Sequence, residues 1–72
     1  MTDIEKACRK DIDAAQKKLI QKAQKQGLYE YFGQNEGRKL EDKYGRYSYD
    51  WEHPQVAQML GAFREWAMTY TG

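Results

Sequence analysis

The sequence predicts an all-α fold: a small three-helix domain spanning residues 1–72, with a long N-terminal helix and an aromatic loop between helices two and three. Three observations carry that reading. Apolar residues recur at steps of three and four in two long windows, which is the period of a helix with one buried face. Gly27, Gly45 and Pro54 punctuate the chain where helices would stop and start. The 72 residues suffice for one domain only, and chains of that size bury roughly 60% of their unfolded surface.

The first helix opens with Thr2 and Glu5 at capping-box spacing, where the hydroxyl and the carboxylate each satisfy a backbone N–H left unpaired at a helix start. Ile4, Cys8, Ile12, Ala15, Leu19 and Ala23 follow as one apolar stripe. Gly27 is the expected left-handed stop, with Leu28 folding back onto the last turn. A helix of about 24 residues measures about 36 Å, long for so short a chain. The second helix covers GQNEGRKLEDKYG and ends at Gly45. Its face of Gly33, Gly37, Leu40 and Tyr44 admits close backbone approach but buries little, and Gly37 costs roughly 1 kcal/mol relative to alanine. Arg38 and Asp42 stand at i,i+4 on its solvent side, spaced for an ion pair. The third helix starts near Pro54, a residue suited to a first helical position. Val56, Met59, Leu60, Phe63, Trp66, Ala67 and Tyr70 form the broadest apolar face of the chain, and Phe63 and Trp66 are expected to be buried.

Composition narrows the function. Cys8 is the only cysteine, which excludes an internal disulfide and a cysteine-rich zinc site. MTDIEKACRK alternates charges without the apolar run of a signal peptide, and nothing later resembles a membrane span, so the expected location is the cytoplasm. The net charge of +1 fits neither a strongly acidic nucleic-acid mimic nor a strongly basic nucleic-acid binder. Charge is uneven all the same: residues 1–27 hold seven Lys/Arg against four Asp/Glu, and residues 28–72 hold five against seven.

The chemistry-bearing residues are sparse. His53, the only histidine, lies beside Pro54 as a helix-entry residue, with no second histidine or nearby cysteine to complete a metal site. Cys8 lies on the apolar stripe, as a small buried hydrophobe would. Ser48, the only serine, has no glycine elbow around it, and no phosphate-cradling glycine spacing occurs. The expectation is a protein that is not an enzyme and uses neither metal nor cofactor. Lys18, Lys22 and Lys25 form a ridge at i, i+4 and i+7 that suits phosphates, although cations also favour helix C-termini. Lys6, Lys10 and Lys17 are interleaved with Asp3 and Asp13, as on a solvated face.

The aromatics stand out. Seven of ten lie between residues 29 and 51, more than three short helices can enclose. Tyr47, Tyr49 and Trp51 alternate with Ser48 and Asp50, so an extended strand would turn all three rings to one side, capping the core or facing a partner. Tyrosine and tryptophan beside an arginine, here Arg46, are types enriched at interface hot spots. Arg46, Tyr47, Tyr49 and Trp51 are therefore the candidate partner-binding residues, with Tyr47 and Tyr49 expected to be at least partly exposed.

Two blocks of the chain resemble a group of small uncharacterised proteins encoded by bacteriophages and prophages. The first is GLYE with Phe32-Gly33-Gln34 and Arg38 to Tyr44; the second is the Phe63, Trp66, Met68, Tyr70 close. Gly37 departs from the group's pattern, which has an apolar helix residue there. The resemblance implies no catalytic pattern. It implies a phage accessory protein that binds a host protein or ribonucleoprotein complex and inhibits it in the host cytoplasm, with an anti-CRISPR type of action on a defence effector as the most concrete form. The alternative is a small nucleic-acid-binding regulator using the Lys18, Lys22, Lys25 ridge. Neither reading specifies monomer or dimer.

Overall fold

The computed structural model describes residues 2–22 and 28–70. They form α1 (Asp3–Lys22), a π-helical turn (Leu28–Gly33), α2 (Gln34–Tyr44), a 3-10 turn (Gly45–Tyr49) and α3 (Pro54–Thr69). No strand occurs among the described residues, and the fold is all-α as expected. The 20 residues of α1 span about 30 Å and set the long axis of a body measuring 37 × 17 × 17 Å. The expected continuation through Ala23 to a stop at Gly27 lies outside the described residues, as does the side chain of Leu28.

One apolar cluster joins the three helices. Cys8, Ile12, Ala15 and Leu19 of α1 meet Leu40 and Tyr44 of α2 and Val56, Met59, Phe63 and Ala67 of α3, all buried. Burying each larger side chain contributes about 1.5–3 kcal/mol. The α3 face is narrower than its spacing suggests. Leu60, Trp66 and Tyr70 pack against the cluster only partly buried, which corrects the expectation for Trp66. Its indole lies between Phe63 and Tyr70, with ring centroids 6.1 and 5.0 Å away, on the rim of the core.

Helix α2 differs from expectation at its start. The backbone is already helical at Gly33 (φ −64°, ψ −38°), so the π-helical turn feeds directly into α2 without a side-chain cap. Gly37 does not serve close approach either: a Cβ there would meet its nearest neighbour, Phe63 Cε2, at 3.9 Å, an ordinary contact. Arg38 and Asp42 do not pair with each other; among the described residues, lysine and arginine pairs run between helices instead, from Lys18 to Glu36 (2.8 Å), Lys43 to Asp11 (2.9 Å) and Arg64 to Glu41.

Two polar ties cross the core edge. Thr2 and Glu5 make the expected capping box, with the Thr2 N–H donating to Glu5 Oε1 at 2.8 Å and the Glu5 N–H to Thr2 Oγ1 at 3.2 Å. Glu5 is only 3% exposed, because its second oxygen accepts the Gln55 N–H at 2.9 Å in the first turn of α3. His53, at the N-cap of α3, makes no capping bond, so α1 supplies that cap from across the fold. Thr2 Oγ1 also lies 2.9 Å from His53 Nδ1. The backbone N–H groups of Thr2 and then Gln55 hold the Glu5 carboxyl below its ordinary range. The second tie is Asp11, whose Oδ2 accepts the Tyr44 hydroxyl at 2.5 Å and Lys43 at 2.9 Å; these two bonds, Tyr44 first, depress its carboxyl. Burial pushes the neighbouring Cys8 thiol up, which leaves it a poor nucleophile.

Candidate functional site

The segment after α2 stays helical but tightens. Gly45 has right-handed angles (φ −56°, ψ −38°), and the chain winds through Tyr49 as a 3-10 turn before leaving at Asp50. Short polar side chains hold this shape. Ser48 Oγ donates to the Gly45 carbonyl at 2.6 Å, and Asp50 Oδ1 accepts the Glu52 N–H at 2.9 Å. The Asp50 carbonyl accepts the His53 N–H at 3.0 Å, closing the approach to α3.

The extended stretch expected for Tyr47, Tyr49 and Trp51 is therefore absent, and their rings do not share one side. In a 3-10 turn, residues two apart diverge. Tyr47 points inward: it packs against the core cluster and meets the His53 ring edge-on at 5.4 Å. Tyr49 and Trp51 point outward and are 92% and 86% exposed. Arg46 lies exposed over the Tyr47 ring, 4.9 Å from its centroid, and Nη2 donates to the Tyr47 hydroxyl at 2.8 Å. That contact holds the guanidinium over the ring while leaving it open to solvent.

Arg46 and Tyr49 also edge an open groove of about 560 Å³ between the end of α2, the 3-10 turn and α3. Leu60, Ala57 and Gly61 line it on α3, and Glu41 and Arg64 form an ion pair at its rim. Among the described residues, and apart from the local backbone, nothing lies within 4 Å of where a Cβ would stand on Gly45 or Gly61. Ala57 and Gly61 were legible in the sequence as a small-residue back face of α3 with room for another element, but not the 3-10 turn that completes the groove beside them.

The basic ridge is not assembled as expected. Lys18 is engaged by Glu36, Lys22 stands exposed near the end of α1, and Lys25 lies outside the described residues. Among the described residues, no group of three or more His, Cys, Asp or Glu side chains is placed to hold a metal ion. Nor is any helix among them long and apolar enough to cross a membrane. Compared with known proteins, the chain matches no family model, no curated protein and no solved structure.

Proposed function

We propose that this chain is a non-enzymatic accessory protein of phage type that binds a host protein or ribonucleoprotein complex and inhibits it, with a CRISPR-type defence effector as the most concrete target. The observation that carries the reading is the exposure of Tyr49 and Trp51 on a hydrogen-bonded turn. Aromatics that the core does not use are a favourable anchor, because each has only two side-chain torsions and loses little entropy when covered. Arg46 beside them adds a cation held in place by Tyr47. The phage resemblance supports the setting, and the host cytoplasm is the location that setting implies.

The test is a pull-down from a bacterial host with tagged wild-type protein and the Tyr49→Ala/Trp51→Ala double variant. The expected result is a protein or ribonucleoprotein retained by the wild type and lost by the variant. Equal retention by both would overturn the assignment to this surface. Retention of no protein by the wild type would overturn the inhibitor reading.

A further inference from the structure

A second surface, away from the aromatic turn, combines charge with an unused ring. Lys18 and Lys22 of α1 face Lys39 of α2 across a cleft of about 190 Å³, and Phe32 of the π-helical turn forms one wall. Leu19, 1% exposed, closes the floor, while Phe32 is 39% exposed. Three lysines stand there against one acid, Glu36, which engages Lys18. Lys22 and Lys39 make no ion pair among the described residues.

The geometry points to a binding site for single-stranded nucleic acid in this α1–α2 cleft, with one base against Phe32 and the backbone phosphates along Lys22 and Lys39. A cationic cleft with an exposed aromatic wall has both parts such a ligand needs. Stacking on the ring requires an unpaired base, and the lysines suit the adjoining phosphates. A duplex keeps its bases stacked and offers the ring nothing. The cleft is also small and open. Pockets that enclose a free small molecule run to roughly 300–1,000 Å³, whereas an open cleft suits one base of a strand that continues past it. Phe32 and Lys39 are absent from the ridge suggested by helix spacing, because they come from other elements.

The experiment is fluorescence anisotropy with a short labelled oligo(dT) or oligo(U), a matched duplex, and salt varied from about 50 to 200 mM. Wild type should bind the single strands in preference to the duplex. Phe32→Ala should weaken binding roughly five- to a hundredfold with the salt dependence unchanged. Lys22→Gln and Lys39→Gln should each lower the slope of log affinity against log salt by about 0.7. Phe32→Trp keeps the stacking surface and should keep binding, with the emission it adds to that of Trp51 and Trp66, read against wild type, quenched by the oligonucleotide; its melting curve checks folding independently. No single-strand binding by wild type at about 50 mM salt would overturn the proposal. So would equal affinity for the duplex, full affinity in a folded Phe32→Ala variant, or an unquenched Phe32→Trp signal.

Discussion

Gly37 and Gly61 are helical residues with space where a methyl group would sit, and neither backbone conformation nor intramolecular packing calls for glycine. Each gives up about 0.5–1 kcal/mol relative to alanine. Gly37→Ala should recover that amount and raise the melting temperature by roughly 4–8 °C per kcal/mol in a domain of this size. Gly61→Ala should gain similarly in a melting experiment, but its methyl enters the groove beside Tyr49, so partner binding should weaken while stability rises. Phe63 is the opposite case. It is 2% exposed, and Phe63→Ala should cost about 3–5 kcal/mol, enough to unfold a domain with little stability in reserve. Trp66→Ala should cost less, because its ring is only partly covered. Circular-dichroism melts of the four variants would rank them; a Trp66→Ala loss exceeding that of Phe63→Ala would contradict the burial order.

At the scale of elements, the 3-10 turn separates core-packed Tyr47 from exposed Tyr49 within three positions. Tyr49→Ala and Trp51→Ala should leave the melting curve within about 0.5 kcal/mol of wild type, yet weaken a bound partner by about 1 kcal/mol or more. Tyr47→Ala should lower both, since its ring packs on the core and holds Arg46. A titration alongside each melt separates the two classes. The sequence made the aromatic segment conspicuous but did not show its shape. Alternation of Tyr47, Tyr49 and Trp51 with small polar residues reads as extended chain, while the polar residues themselves decide against it. Ser48 and Asp50 bond back to nearby backbone, a local competition that an apolar pattern does not encode. The three α-helices were legible because periodicity reports a buried stripe, which is why Cys8, Ile12, Leu19, Val56 and Phe63 fell where expected. The π-helical turn was not, since LYEYFG has no period of its own.

For the whole molecule, the ties between helices are ionisable, and they set the response to pH. Both Glu5 and Asp11 have carboxyls depressed by hydrogen bonds formed only on folding. Between the ordinary carboxyl range and the depressed folded values the unfolded chain binds more protons than the folded one, so their contribution is fully present above the ordinary range and lost as pH falls through the depressed values. Urea midpoints should therefore hold near neutrality and drop below about pH 4. Glu5→Gln and Asp11→Asn should each lower stability at neutral pH and flatten the acid limb; an unchanged limb in the double variant would show that other groups control it. At the alkaline end the Tyr44 hydroxyl, raised chiefly by burial and then by its bond to Asp11, contributes stability that is fully present below the ordinary tyrosine range and lost as pH rises through its raised folded value. These links were half legible: Thr2 and Glu5 announced a cap, but nothing in the spacing showed that Glu5 serves a second helix through Gln55. Partners some fifty residues apart leave no local signature.

The Gln55 amide makes that junction observable without any label. Amides in the first turn of a helix have no partner within the helix and ordinarily exchange with solvent hydrogen quickly. Here the donor is held by Glu5, so its exchange waits for the start of α1 to lift away from α3. Its protection factor, read residue by residue in deuterated water, thus measures the free energy of that local opening separately from global unfolding. Thr2→Ala, which removes the hydroxyl acceptor of the capping box, should speed exchange at Gln55 well before it alters exchange at the amide of buried Phe63.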